Sequence, residues 1–346
     1  MKPVNICLIS LRSYPLFAKK SSEYFGGAEV QISLIAKELA KDNRFKVSVI
    51  TGDYGQKKVI SKKGLKIYKT NLIDFFKILR AVNADVYIER TANVKVGLVG
   101  WFCKVFNKKL IYMMAHDWDI SNKWLYFFGL KNADLIITQT EDQWKKLKKN
   151  FKLNSVVIPS VIKIISSKKS EKREYVLWVG RADDWKKPIT FLNLVQKFPK
   201  EKFAMICRQG KNEKLFKKVK KFAELQSNLK FFSAVPIEEI TNFFAKAKLF
   251  VNTSTAEGFP NTFLQAGMTK TPVLSLKINP NKYINEYGCG LVAENNQKKM
   301  VKLCRKMLKN PKLLKTMGEN HYNYVKKNHS LKNFNILKTA VWELLS

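Results

Sequence analysis

Short apolar runs alternate along the chain with longer segments of helical periodicity. In the first half they lie near residues 4–10, 46–51, 65–69, 85–89, 109–114, 134–138 and 155–158. In the second half they lie near residues 175–179, 203–207, 229–232, 248–252, 272–276 and 290–293. Apolar runs separated by helices are typical of parallel strands with helices on both faces of the sheet. The pattern therefore predicts an α/β protein with two parallel sheets, followed by Lys-rich helices from about residue 298.

The length of the chain and one polar stretch predict two domains. A chain of 346 residues is long for a single hydrophobic core. The polar residues 166–173 are predicted to link a first domain, residues 1–165, to a second domain, residues 174–330. An apolar content of 46% excludes a globally disordered chain.

The segment from Val251 to Gly267 contains the most informative polar residues. Its sequence predicts a buried strand end, then a tight Gly/Pro turn that carries one acid, Glu257, and then the first turns of a helix. Such a junction places backbone N–H groups and the positive end of a helix dipole beside a carboxylate. Amides bind phosphate and a carboxylate binds sugar hydroxyls, so the junction suits a nucleotide-sugar. The alternative is an ordinary strand–turn–helix with a surface Glu.

A second motif follows the apolar strand at residues 175–179. The strand ends in Gly180-Arg181, and Lys186 follows five residues later. Two cations at the carboxyl end of a strand can converge on a diphosphate in an open α/β crevice. Lys186 alone would equally be a solvated surface Lys. Arg181 is more informative, because only eight of the 64 basic residues are Arg.

Two further signals lie in the first half. Gly26-Gly27 precedes an amphipathic helix that is predicted to run to about Lys41, and a Gly pair permits positive φ and close approach of a ligand. The strand near 109–114 is followed by His116-Asp117, and the chain has only three His residues. A His at a strand's carboxyl end faces the crevice where α/β proteins bind ligands. The alternative is a capped structural His.

These four motifs, in the order in which they occur along the chain, resemble retaining glycosyltransferases of the GT-B fold, in particular glycosyltransferase family 4. The family's motif is Glu-Gly-Phe followed by a second Glu before Ala. Glu257 matches the first acid, while Gln265 stands in place of the second. The resemblance implies that Glu257 lies at the transferred sugar and that Gln265 binds the ribose. The amide of Gln265 can hydrogen-bond the ribose hydroxyls, but without the added strength that a charged carboxylate gives.

The resemblance also implies the remaining roles. Arg181 and Lys186 are expected on the donor pyrophosphate, and His116 is expected to donate a hydrogen bond to the sugar or acceptor. The other expected donor-binding residues are Gly26, Gly27, Gly180, Gly258, Phe259, Asn261 and Thr262. The expected fold is two Rossmann-like doubly wound domains that face a central cleft. The first binds the acceptor and includes residues 331–346; the second binds the nucleotide-sugar.

The function implied is retaining transfer of a hexosyl group from a nucleotide-diphosphate sugar, of UDP or GDP, to a lipid-linked or saccharide acceptor. Cell-envelope polysaccharide or glycolipid synthesis is the expected setting. No metal and no further cofactor are expected, because Arg181 and Lys186 would do the work of a metal. Two alternatives stay open: a nucleotide-sugar epimerase of the same fold, and a non-catalytic protein that binds sugar-nucleotides or a membrane surface.

The formal net charge of +37 is spread over both halves and is nearly all Lys. No recognition motif accompanies it, so nucleic acid is not an expected partner. Anionic lipid is a better one, since each Lys near such a surface contributes roughly 1 kcal/mol. The aromatic and basic segments 96–109 and 123–131 suit a lipid interface. They also suit buried helices of a doubly wound sheet.

Cysteine usage and the chain start predict a cytoplasmic protein, at most peripheral at the inner face of the membrane. The five Cys residues are widely spaced and lack a Cys-x-x-Cys pair, which is typical of reduced thiols. Met1-Lys2-Pro3 leads directly into the first strand, so no signal peptide is expected. No apolar run approaches the ~20 residues of a membrane-spanning helix.

Overall fold

The computed structural model describes residues 2–18, 26–90, 94–116, 124–164 and 172–345. The chain divides into two compact units. The first unit contains Met1–Val161 and Leu331–Ser346, and the second contains Ile162–Ser330. Residues 166–171 of the predicted linker lie outside the described part of the chain.

Fourteen strands are found in the described residues, eight in the first unit and six in the second. In the first unit they are β1 Val4–Ile9, β2 Phe45–Thr51, β3 Val59–Lys62, β4 Leu65–Lys69, β5 Val86–Glu89, β6 Lys109–Met113, β7 Leu135–Thr138 and β8 Val156–Val157. In the second they are β9 Tyr175–Arg181, β10 Phe203–Arg208, β11 Leu229–Phe232, β12 Ala247–Asn252, β13 Val273–Ser275 and β14 Gly290–Val292.

Fourteen α-helices accompany these strands within the described ranges. The first six are α1 Tyr14–Ala18, α2 Gly27–Leu39, α3 Phe75–Val82, α4 Lys95–Val105, α5 Trp124–Lys131 and α6 Glu141–Phe151. The other eight are α7 Pro188–Gln196, α8 Glu213–Glu224, α9 Ile237–Ala245, α10 Asn261–Met268, α11 Tyr283–Glu286, α12 Gln297–Leu308, α13 Pro311–Asn328 and α14 Asn333–Glu343. Helix α2 ends at Leu39, two residues before the predicted end.

Both sheets are wound in two directions from a central strand. The first has the order β3-β4-β2-β1-β5-β6-β7-β8, and the second has the order β11-β10-β9-β12-β13-β14. All neighbouring strands pair in parallel except β3 and β4. The predicted fold class, two Rossmann-like parallel-sheet domains, is confirmed.

Strand β3 is an addition to the predicted pattern. It pairs antiparallel with β4, and the two strands are joined by Lys63 and Gly64. These residues have φ of 49° and 76°. Positive φ at both positions is typical of a two-residue hairpin turn whose twist matches that of the strands. The sequence signal for this hairpin is the short polar break Lys63-Gly64 between residues 59–62 and 65–69.

Alternation along β1 sends its side chains into two cores. Ile6 and Leu8 pack in the cluster that contains residues of α2 and α14, among them Leu39 and Leu337. Cys7 and Ile9 pack in a second cluster with residues of α3 and α4. Helix α14, at the end of the chain, is therefore part of the first unit's core.

Helices α4 and α5 cross at unusually short range. A Cβ atom on Gly97 would lie 2.1 Å from the carbonyl oxygen of Leu125, and a Cβ atom on Gly129 would lie 2.4 Å from the carbonyl carbon of Val96. Side chains do not fit at such distances, so the crossing requires glycine at both positions. The close contact holds α4 and α5 together as one layer of the first unit.

Candidate active site

The candidate site of the second unit lies where its sheet changes winding direction. From β9 the chain continues to β10 on one side, and it later returns to β12 on the other side of β9. Ligands of open α/β sheets bind outside the carboxyl ends of the strands at such a switch point. Arg181 is the last residue of β9, and Glu257 follows the end of β12 by five residues. The two strongest sequence motifs therefore meet at one sheet edge.

Lys186 and Glu257 form an ion pair at this edge. The Nζ atom of Lys186 donates a hydrogen bond to Oε1 of Glu257. The Lys186 side chain is 19% exposed and the Glu257 side chain is 4% exposed. A buried carboxylate needs a partner charge or several hydrogen-bond donors. The pair thus fixes both charged groups, each of which was predicted to bind the donor.

Backbone and side-chain hydrogen bonds join the two loops that hold this pair. The Thr253 hydroxyl donates to the carbonyl oxygen of Lys186 at 2.6 Å, and the Thr255 N–H donates to that of Trp185 at 2.8 Å. The buried indole N–H of Trp178 donates to the Thr253 hydroxyl at 2.8 Å. A buried Trp N–H normally finds a partner. Trp178 and Thr253 were not predicted as site residues, although a Trp inside the strand before Gly180-Arg181 was a visible signal.

Arg181 is held by the neighbouring acid Asp183, which was not among the predicted site residues. Its Nη2 lies 2.9 Å from Oδ2 of Asp183, whose side chain is almost completely buried, and its guanidinium lies 5.7 Å from the ring centroid of Trp185. Oδ1 of Asp183 accepts a hydrogen bond from the Lys211 N–H at 3.2 Å. A Cβ atom on Gly210 would lie only 2.3 Å from Oδ1. Asp183 therefore couples Arg181 to the loop that follows β10.

The first turn of α10 begins directly after this site. Pro260 is extended and precedes Asn261, the first helical residue. Asn261, Thr262 and Gln265 are half-buried. The N-terminus of a helix attracts anions through its amides and its dipole. The turn that carries Glu257 therefore leads directly into the first backbone amides of α10.

Three of the residues predicted to bind the donor are buried or closely packed within the second unit. The ring of Phe259 is buried, with its centroid 4.3 Å from that of His329 and 5.3 Å from that of Tyr283. Gly258 is also buried. Gly180 makes room for an indole, because a Cβ atom there would lie 2.7 Å from Cη2 of Trp178. Phe259 thus anchors the turn from the core.

The predicted residues Gly26, Gly27 and His116 lie in the first unit. Gly26 has an extended backbone, φ −120°, so it does not use the positive φ that a Gly pair permits. Its N–H donates to Oε2 of Glu29 at 2.8 Å. The carboxylate of Glu29 therefore already supplies negative charge at the start of α2. Gly27 is the first residue of that helix and is exposed.

His116 follows the end of β6 and is half-buried. The side-chain N–H groups of Gln139 donate to the carbonyl oxygens of Met114 at 2.9 Å and Ala115 at 2.8 Å. Ser160 donates to Oε1 of Gln139 at 2.5 Å, and Arg90 donates to Ser160 at 3.2 Å. This buried chain of side chains fixes the backbone immediately before His116. Asp117 lies outside the described residues.

Residues 162–324 match the family model described as glycosyl transferases group 1. The match lies entirely within the second unit, which carries Arg181, Lys186 and Glu257. Within the described ranges, no group of three His, Cys, Asp or Glu side chains is arranged to hold a metal ion.

Similar proteins match this protein over nearly the whole chain. An uncharacterized glycosyltransferase of Methanocaldococcus jannaschii is 22% identical, with 89% of this chain and 92% of the relative aligned. Sucrose-phosphate synthase from Thermosynechococcus elongatus has a TM-score of 0.79 and 15% identity, covering 99% of each chain. A mutant of S. aureus TarM, in complex with fondaparinux, α-GlcNAc-glycerol and UDP, has a TM-score of 0.75 and 14% identity over 100% of each chain. The fold is GT-B.

Proposed function

We propose, from the glycosyl transferases group 1 match over residues 162–324, that this protein transfers a sugar from a nucleotide-diphosphate donor. The observation that carries the proposal is the meeting of Arg181, Lys186 and Glu257 beside the start of α10, at the switch point of the second sheet. Two cations and a helix N-terminus suit a diphosphate, and a carboxylate suits sugar hydroxyls. UDP in the TarM complex supports a nucleotide of this kind.

The proposed chemistry is electrostatic stabilisation of the leaving diphosphate. Arg181, which Asp183 orients, and the first amides of α10 donate to phosphate oxygens. A Lys ammonium has three N–H donors, so Lys186 can bind phosphate while it keeps its hydrogen bond to Glu257. Preorganised donors of this type lower the barrier because they need no rearrangement as charge develops. Glu257 orients the sugar by accepting hydrogen bonds from its hydroxyls.

We propose that the anomeric configuration of the sugar is retained without a protein nucleophile. Because Glu257 is paired with Lys186, its proposed role is to orient the sugar and not to attack it. The acceptor hydroxyl attacks from the face that the diphosphate leaves. His116, on the first unit, is proposed to donate a hydrogen bond to the sugar or the acceptor. The cations Arg181 and Lys186 make a divalent metal unnecessary in this scheme, so transfer is expected to continue in the presence of EDTA.

The proposed acceptor is a lipid-linked or soluble saccharide in cell-envelope polysaccharide or glycolipid synthesis. A basic first unit with exposed aromatic side chains supports an acceptor near an anionic membrane. The proposed location is the cytoplasm, with contact at the inner face of the membrane. Hexoses are the donor sugars to test first.

A thermal-shift screen against UDP-, GDP- and ADP-hexoses, with EDTA present, tests the donor site. A ligand at 100 times its dissociation constant stabilises the folded state by about 2.7 kcal/mol, so one donor class should raise the melting temperature saturably. The Arg181→Ala variant should lose this shift, and Lys187→Gln, at the exposed neighbour of Lys186, should keep it. The absence of a shift with every donor would contradict the proposal.

A further inference from the structure

The outer surface of helices α3 and α4 is apolar. Leu72 and Ile73, just before α3, are 80% and 93% exposed. On α4, Trp101 and Val105 are 49% and 54% exposed. Soluble proteins rarely expose several large apolar side chains close together unless they bind a partner or a membrane.

Contacts between the helices make this a continuous surface. The ring of Phe76 on α3 meets the ring of Trp101 on α4 edge to face, with centroids 5.7 Å apart. Arg80 on α3 lies over the ring of Phe106, with 5.2 Å between its Cζ atom and the ring centroid. Together we call these residues the α3–α4 surface; its apolar members are Leu72, Ile73, Phe76, Trp101, Val105 and Phe106.

The apolar outer side of α4 is not needed to build the core. Val99 and Phe102, on its inner side, already pack in the cluster beneath α3 and α4. The glycine crossing at Gly97 and Gly129 packs α4 against α5. The outer side of α4 carries an apolar stripe at helical spacing, which consists of Val94, Leu98, Trp101 and Val105. The exposed members of this stripe face away from the contacts with the core and with α5.

The charged side chains within the helices are of one sign, although the exposed Asp74 directly precedes α3. Helices α3, α4 and α5 contain no Asp or Glu. They contain five basic residues, Lys77, Arg80, Lys95, Lys104 and Lys131. A second copy of this chain, with a net charge of +37, would bring further positive charge against them. Charge complementarity therefore favours an anionic partner over self-association.

We propose that the α3–α4 surface docks on an anionic lipid bilayer. Exposed Trp, Phe and aliphatic side chains enter the interface, while Lys and Arg beside them meet the lipid headgroups. Trp124, at the start of α5 and 76% exposed, adds a further aromatic anchor on the helix that crosses α4. Helices α4 and α5 are thus both core and interface, with one side of each helix serving each role. No helix among the described residues is long and apolar enough to span a membrane.

The first test places an environment-sensitive fluorophore on the surface. All five native Cys residues are buried, so a thiol dye will react selectively with Ile73→Cys. Vesicles of equal parts phosphatidylcholine and phosphatidylglycerol should shift its emission to the blue and raise its intensity. The matched control is a dye on Leu225→Cys in the second unit, where Leu225 is 74% exposed. Vesicle binding with a silent dye at residue 73 would overturn the assignment of this surface.

The second test removes the apolar side chains without touching the core. The double variant L72S/I73S should lower the vesicle partition coefficient about tenfold, whereas Leu225→Ser should not change it. Pure phosphatidylcholine vesicles should bind poorly, and salt at ~0.5 M should weaken binding without abolishing it. No binding to anionic vesicles, or dimerisation that L72S/I73S abolishes, would overturn the proposal. Because these assays need no donor, they can fail independently of the proposed sugar transfer.

Discussion

Lys186 and Glu257 are 71 positions apart in the sequence and form an ion pair in the structure. The pair joins the loop after β9 to the loop after β12, at the switch point of the second sheet. The same pair therefore has two functions in our proposal: it holds the two loops together, and it presents a cation and a carboxylate to the donor.

Substitution of Lys186 by Met should destabilise the second unit. The change leaves the carboxylate of Glu257, 4% exposed, without its partner cation, and loss of one member of a buried pair typically costs about 3–5 kcal/mol. The double variant K186M/E257Q should lose less than the sum of the two single variants. Urea denaturation measures the three differences in unfolding free energy.

The control for this cycle is Lys187→Gln, which changes an exposed neighbour and should stay within about 0.5 kcal/mol of the original protein. Strictly additive losses for Lys186 and Glu257 would show that the two side chains are not coupled.

Arg181→Ala and Lys186→Ala should each lower the rate of sugar transfer by ~10² or more, since in our proposal each side chain donates to the charge that develops on the leaving diphosphate. Asp183→Asn should have a smaller effect, because it weakens only the group that orients Arg181. The exposed Arg305 on α12 offers a matched change, Arg305→Gln, that should leave the rate unaltered. Near-normal transfer by Arg181→Ala would rule out its assignment to the pyrophosphate.

Gln265→Glu should maintain or increase donor affinity. Gln265 lies one turn beyond Asn261 on α10, at the position where the family has an acid, and a carboxylate accepts hydrogen bonds from a ribose diol more strongly than an amide does. Isothermal titration with the donor identified in the thermal-shift screen measures the change. A tenfold loss of affinity would mean that the amide N–H donors of Gln265 have a role of their own.

His321 should make the stability depend on pH. It is fully buried, its Nδ1 lies 2.9 Å from the carbonyl oxygen of Thr271, and its Nε2 lies 3.3 Å from the Tyr283 hydroxyl. Burial lowers the pKa of His321 to about 4, against about 6.5 in an unfolded chain. Between these values the unfolded chain binds a proton that the folded chain does not. The His321 contribution to stability is therefore complete above pH 6.5 and is lost as the pH falls towards 4.

The expected loss of unfolding free energy over this range is about 3 kcal/mol. Denaturation curves at a series of pH values should show it for the original protein, and His321→Gln should flatten the dependence. A slope of the same size in His321→Gln would assign the effect to other groups.

Arg173→Ala should destabilise the second unit. Its guanidinium donates to the carbonyl oxygens of Ala247 at 2.8 Å and Thr269 at 2.6 Å, and to the Thr271 hydroxyl at 2.8 Å. Loss of several charge-assisted bonds predicts about 2–4 kcal/mol. Arg173→Lys should recover less than half of this, because an ammonium lacks the planar fork. Lys172→Ala, at an exposed neighbour, is the control, and equal effects of the two alanine changes would contradict the role of Arg173.

The strand pattern and the meeting of the motifs were accessible from the sequence. Parallel strands of a doubly wound sheet have regular apolar runs, so all six strands of the second sheet were predicted. Their carboxyl ends share one edge, so residues after β9 and β12 had to meet. The placement of Arg173 was misread: it was assigned to a polar linker, although it is bound to the second unit by hydrogen bonds from its guanidinium.

What escaped prediction depends on side chains that reach between distant loops. The hydrogen bond from Trp178 to Thr253 spans 75 positions, and no periodicity encodes such a pair. The role of Asp183 was not predicted, because its burial arises only when the loop after β10 covers it. Leu72 and Ile73 were overlooked because apolar residues before a helix are normally part of the core.

The edges of the first sheet bear on how this protein behaves at high concentration. Strand β8 is two residues long, and β3 is four residues long with Lys57 and Lys58 before it and Lys62 and Lys63 at its end. Edge strands offer unpaired N–H and C=O groups to other chains, and short strands with Lys are poor templates for such pairing. Both ends of the sheet thus resist extension by another molecule, which favours a dispersed protein over edge-to-edge aggregates or amyloid-like fibres.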